Sequence, residues 1–214
     1  MKFLALLTFV FLFHNYAFSY QIKLEKVIDL EKPWGSSFIN KDTIIVTEKE
    51  GSIKLINIKT KQTNIISHNL NILVDGQGGL LDIIFKNDQV WVTYSENRGN
   101  RKTSTSIASG KFDKNNIKFK NIFRAEPPIQ SGYHFGSRLV IKDNQLYASL
   151  GERGKGMIAQ DSQKHPGSII RLNLDGSIPN DNPHFEDKKN WLPEIYQIGV
   201  RNPQGMSFSP FDNK

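Results

Sequence analysis

A repeat limits what this chain can fold into more than any other feature. Aligned on one glycine, four segments share a pattern: "WGSSFINKDTIIVTE" from Trp34, "GGLLDIIFKNDQVWVTY" from Gly78, "FGSRLVIKDNQLYASL" from Phe135 and "QGMSFSPFDNK" from Gln204. Each is a glycine, a short apolar strand, an Asn/Lys/Asp turn and a second strand. A third strand recurs too, as "GSIKLIN" from Gly51 and "GSIIRLN" from Gly167. No helical periodicity persists after residue 20, whereas "TIIVTE", "SIKLINI", "QVWVTYS", "IKFKNIF", "SRLVI" and "QLYASL" alternate with a period of two. The expected fold is therefore all-β and antiparallel, with units of four strands that suggest propeller blades.

The aligned glycines, Gly35, Gly79, Gly136 and Gly205, lie 44, 57 and 69 residues apart. A closed ring of six such units needs roughly 340 residues, at about 57 each. This sequence of 214 residues reaches the turn of a fourth unit. It is expected to cover about three blades and the start of a fourth, as a piece of a longer reading frame or as an open half-ring with an unpaired, aggregation-prone edge.

The innermost strand of a blade runs along the central axis, so residues entering it at one end converge on the channel mouth. Just before the aligned glycines stand Trp34, Gln77, His134, and the group Arg201, Asn202 and Gln204. A histidine, amides, an arginine and an indole facing one cavity read as a binding site. His134 sits between Gly132 and Gly136, which leave room for a ligand to approach. Arg201 offers a planar fork suited to a carboxylate.

Residues 1–19 combine a basic Lys2, an apolar run over residues 3–13 and the small-x-small pattern Ala17, Phe18, Ser19. They read as a secretory signal peptide preceding a domain over residues 20–214, the apolar run being too short for a bilayer span of about 20 residues. Cysteine is absent, which excludes disulfides and thiolate metal sites. The net charge of +7 is scattered among strand positions rather than gathered on one surface, so nucleic acid is not an expected partner.

Other motifs carry less. "GQGGLLD" and "GERGKG" lack the strand-to-helix context and spacing of nucleotide loops and read as turns. "LNLDGSIPNDNPHFED" lacks the ligand spacing of a calcium loop. His68, His165 and His184 show no paired spacing for zinc.

Taken together, "PWGSSF", "VTEKEGSIKLI", "GQGGLLDI", "HFGSRLV", "SLGERG", "RLNLDGSIPNDNP" and "GVRNPQGMSFSP" resemble the soluble quinoprotein sugar dehydrogenases of the glucose/sorbosone dehydrogenase family, and within it the bacterial aldose sugar dehydrogenases. The resemblance runs from about Glu25 to the last residue. It implies a six-bladed β-propeller binding pyrroloquinoline quinone (PQQ) and calcium, located in the periplasm or secreted, with an aldose substrate and an external electron acceptor. It implies that His134 is the general base for the anomeric hydroxyl, that Gln77, Arg201 and Asn202 hold the cofactor, and that Glu152, with Trp34, is supporting. The calcium ligands and further basic pocket residues are expected beyond residue 214. Val200 stands where the family often has histidine. Two other classes stay open: a non-catalytic propeller binding a glycan or a protein, and a calcium-dependent lactone hydrolase, which would need inward carboxylates.

Overall fold

Three of the repeats fold into four-stranded antiparallel meanders in the computed structural model, which describes residues 22–209 and residue 211. The first blade comprises β1 (Pro33–Asn40), β2 (Thr43–Glu48), β3 (Ser52–Asn57) and β4 (Thr63–His68). In the second, β5 (Leu80–Lys86), β6 (Gln89–Asn97), β7 (Thr103–Lys111) and β9 (Lys120–Arg124) pair in that order. The two-residue β8 (Asn116–Ile117) leaves the second blade and pairs in parallel with the outer edge of β4. The third blade is β10 (Gly136–Lys142), β11 (Gln145–Leu150), β12 (Ser168–Asn173) and β13 (Ile195–Ile198), with a 3-10 turn over Gly156–Gln160. This is an arc of a β-propeller that does not close on itself. The proposed signal segment, residues 1–19, lies outside the described residues, among which no helix is long and apolar enough to cross a membrane.

Local chemistry explains the hairpins. Asn87 and Asp88 (φ 50° and 60°), and Asp143 and Asn144 (φ 49° and 59°), are two-residue loops with both central residues left-handed. That twist matches the flanking strands, and asparagine and aspartate tolerate it best among non-glycine residues. Alternation along β6 then sends Val90, Val92 and Tyr94 into a core shared with the first blade. Trp91 goes to the opposite core, shared with Leu139, Leu146 and Ile170 of the third. The apolar interior therefore lies between blades.

One polar device recurs at every blade junction. Each inner hairpin carries a bulge at its entry, over residues 33–36, 80–83 and 136–139. The third bulge residue in each case donates its amide to a hydroxyl on the second strand: Gly35 N to Thr47 Oγ1 (3.0 Å), Asp82 N to Thr93 Oγ1 (2.9 Å), Arg138 N to Ser149 Oγ (2.9 Å). The same hydroxyl donates onward to a carbonyl of the next unit. Thr47 reaches Leu81 O, Thr93 reaches Ser137 O at 2.7 Å, and Ser149 reaches Pro203 O at 2.7 Å. Bulge groups that lost their ladder partners are thereby satisfied across blades.

This device corrects the register read from glycines. In space Gly35, Asp82 and Arg138 are equivalent, so Gly79 precedes its bulge and Gly136 opens its own, whereas Gly35 is the third residue of its bulge. Gly35 is required for a different reason, since a Cβ there would lie 2.6 Å from Asp82 Oδ1 and 2.8 Å from Asp82 Cα. The fourth unit also departs from expectation. Residues 202–209 run beside β10 but form no strand, because no described residue supplies the hairpin partner that would complete a ladder.

Replacing Thr93 by valine keeps the shape and strands the Asp82 amide and the Ser137 carbonyl. The expected cost is about 1–3 kcal/mol for each group left unsatisfied, read by urea denaturation. Thr63→Val, on an exposed stretch of β4, should stay within about 0.5 kcal/mol.

Candidate functional site

The loop over residues 131–135 delivers His134 to the entry of β10, with its backbone in the left-handed region (φ 52°). Its imidazole Nδ1 contacts Glu152 Oε1. Among the described residues Nε2 has no protein hydrogen bond. Glu152 is 3% exposed, and its second oxygen accepts the amide of Gly156 at 2.8 Å. Burial works to raise the Glu152 pKa, but the hydrogen bonds from His134 and Gly156 outweigh it and hold the carboxyl below its ordinary value. An ionised Glu152 accepts from Nδ1–H, leaving Nε2 as the basic nitrogen.

Most of the residues singled out by sequence meet here. Gln77 Oε1 accepts the His134 amide at 2.9 Å, and Gln77 N donates to Gly132 O at 2.7 Å. Asn202 Oδ1 accepts the Gly136 amide at 2.9 Å, and Arg201 O accepts the Glu152 amide at 2.8 Å. The Arg201 side chain is exposed beside them. Loops of the second unit, the third unit and the segment after β13 are thus tied together at one rim.

Trp34 does not contact this group. The glycine alignment sets it opposite His134, whereas the bulges make it equivalent to Leu81 and Ser137, further along the inner strand. There its ring faces the Arg138 guanidinium at 4.7 Å. Arg138 donates from Nη1 to Asp82 Oδ1 at 2.8 Å and from Nε to Gln204 O at 2.9 Å. Asp82 is 2% exposed, and burial pushes its carboxyl up, opposed by the Leu139 amide and Arg138. Sequence reading missed Arg138 and Asp82. The available signal was a charged residue in each of two otherwise apolar inner strands, "LLDII" and "SRLVI".

The other histidines among the described residues are structural. His68 Nε2 lies 2.7 Å from Gly51 O, His165 bridges the Glu126 amide and Glu194 Oε1, and His184 stacks on Trp191. "GERGKG" forms a turn leading to the 3-10 segment, and "GQGGLLD" a turn entering β5. A cleft of about 750 Å³ near Trp91 and Leu174 lies at the other end of β5 and holds none of the site residues. No cluster of three or more His, Asp or Glu side chains fit for a metal ion exists among the described residues.

Cationic and amidic groups occur at this rim and on the adjoining inner strands: Arg201 is exposed, Gln77 keeps its NH₂ unused by the His134 amide, and Arg138 lies against an indole face. Such donors suit a planar, oxygen-rich anion. Next to them stands a carboxylate-oriented imidazole, the combination used to move a proton.

Comparison with known proteins shows the family. The family model described as glucose/sorbosone dehydrogenase matches residues 30–214. The chain is 32% identical over 194 residues to the aldose sugar dehydrogenase YliI of Escherichia coli (strain K12), covering 86% of this chain and 52% of that protein. It is 28% identical over 222 residues to quinoprotein glucose dehydrogenase B of Acinetobacter calcoaceticus, covering 87% and 46%. The apo crystal structure of the soluble aldose sugar dehydrogenase of Escherichia coli superposes with a TM-score of 0.81 at 31% identity, covering 86% of this chain and 56% of that one. The chain spans about half the length of the curated relatives it matches.

Because the Glu152 carboxyl titrates lower folded than unfolded, its ionisation favours the folded state. That contribution is fully present above the ordinary glutamate value of 4.5 and disappears as the pH falls through the depressed folded value. Urea midpoints followed from neutral pH downward should fall over that window. Glu152→Gln should show a shallower fall.

Proposed function

The chain belongs to the glucose/sorbosone dehydrogenase family, and from that we propose that it contributes the substrate base and part of the cofactor pocket of a PQQ-dependent aldose dehydrogenase. The reaction is oxidation of an aldose at its anomeric hydroxyl to the lactone, with electrons passed to an external acceptor. The observation that carries this reading is the His134–Glu152 pair, set at a rim with Nε2 lacking a hydrogen-bond partner among the described residues.

The residues present fit the quinone. Its carboxylates and ring oxygens call for cationic and amide donors, which Arg201, Gln77 and Asn202 supply. When bound, PQQ supplies the acceptor for the two electrons and the hydrogen that leave the sugar carbon. The calcium that the family resemblance implies has no ligand cluster among the described residues.

The protein's own part is proton management. His134 Nε2 takes the proton of the anomeric hydroxyl as the carbon–oxygen bond gains double-bond character. Glu152 fixes the ring orientation and stabilises the imidazolium through Nδ1–H. Gln77 acts twice, holding the His134 amide with its carbonyl oxygen and presenting its NH₂ as a donor. The signal segment fits export to the periplasm or beyond.

Reconstitution of the full-length protein with PQQ and calcium, followed by dye reduction across a panel of aldoses, tests the reading. His134→Ala should lower kcat by about 10²–10⁴-fold. Absence of turnover with every aldose overturns the enzyme assignment, and retention of the biological activity by His134→Ala favours a non-catalytic binding propeller. Arg201→Ala should weaken PQQ binding about tenfold or more, measured by fluorescence titration.

A further inference from the structure

Two adjacent residues of "GERG" hold the loop that carries His134. Glu152 takes the ring, and Arg153 takes the backbone. Arg153 is 3% exposed. Its Nε donates to Tyr133 O at 3.0 Å, Nη1 to Thr103 O at 3.0 Å, and Nη2 to Thr103 Oγ1 at 2.7 Å and to Ser131 O. Its own amide donates to His134 O at 3.2 Å. The guanidinium lies over the Phe135 ring at 3.7 Å.

Every hydrogen-bond partner of this buried cation is neutral. Burial pulls its pKa down to about 10, opposed only by the charges of Asp75 and Glu152 at longer range. A buried arginine without an ion pair is a poor source of stability. Its geometry is nevertheless specific, because a rigid planar fork can collect carbonyls from the loop and from β7 at once, which a lysine cannot. The loop needs such a clamp. His134 and Arg153 both have left-handed backbones (φ 52° and 58°), a conformation that a non-glycine residue holds only against a steric cost.

We propose that Arg153 is a positioning residue for His134. By gathering Ser131 O and Tyr133 O onto Thr103 of the neighbouring blade, it fixes the loop so that Nδ1 stays on Glu152 and Nε2 keeps one direction. Arg153 is buried and its donors are taken up by protein groups, so it acts through the loop rather than on a ligand. Its catalytic consequence rests on His134 being the base.

The test uses the full-length protein and two readouts. Without cofactor or substrate, Arg153→Ala should accelerate amide exchange at residues 132–136 about tenfold or more and abolish the single-tautomer ¹⁵N signature of His134, with β11 and β12 unaffected. Thr103→Val nearly keeps the shape and removes the hydroxyl that accepts from Arg153 and donates to Ile129 O, so it should move the same signals less and stands in if Arg153→Ala fails to fold. With PQQ, calcium and aldose, Arg153→Ala should lose about 10²-fold in kcat with KM nearly unchanged. Arg153→Lys should recover little, and millimolar guanidinium should restore part of the Arg153→Ala rate. Unchanged exchange and imidazole signals in both variants overturn the proposal, as does a rise in KM at constant kcat. If the wild-type protein oxidises no aldose, the enzyme reading falls, and the exchange and tautomer data alone decide the role of Arg153.

Discussion

The hydroxyl that bridges each bulge to the next blade is the interaction on which the arrangement depends. A bulge at the start of every inner strand leaves an amide without a ladder partner, in a place closed to water. Thr47, Thr93 and Ser149 each satisfy one such amide and spend their own proton on the following unit. Hydrophobic packing between blades is non-directional and tolerates sliding. The hydroxyl relay does not, because a shift of one residue along the axis breaks both of its bonds. Asp82 reinforces the second junction by accepting the Leu139 amide and the Arg138 guanidinium together.

The rim inherits that register. His134 lies just before the third bulge, Gln77 before the second, and Asn202 where the relay passes to the segment after β13. In each of their mutual bonds the donor is a backbone amide, and the acceptor is a backbone carbonyl or the side-chain oxygen of Gln77 or Asn202. Such a site has few freely rotating supports, and the side chains left for ligands are those with unused donors or a basic nitrogen. Glu152 and Arg153 divide the labour around His134, one setting ring orientation and the other the loop.

Much of the fold was legible because alternating apolar residues and Asn/Asp turns report directly on half-buried hairpins. "TIIVTE", "QLYASL" and "SIIRLN" match β2, β11 and β12. β7 was not legible, since "TSTSIASGK" looks like a solvated stretch and yet is almost wholly buried, its hydroxyls bonded to Glu96, Phe135 O and Ile129 O. "IKFKNIF" read as one strand and is two, because its first part serves the first blade and its last part the second. At the site His134, Gln77, Glu152 and Asn202 were recoverable from repeat and resemblance. Arg138 and Arg153 were not. A lone arginine in a strand or turn looks like surface charge, and the backbone carbonyls and carboxylate that engage it lie up to 66 residues away.

The crossing of β8 onto β4 also has a consequence for the ribosome's order of work. Asn64 and Asn69 of the first blade each wait for a backbone partner 50 residues downstream, at Lys114 and Phe119. During synthesis the first blade therefore emerges with an open outer edge, which becomes covered only when most of the second blade has been made. Folding one blade at a time leaves that edge uncovered until β8 arrives, so the first unit with this edge finished includes part of the second blade.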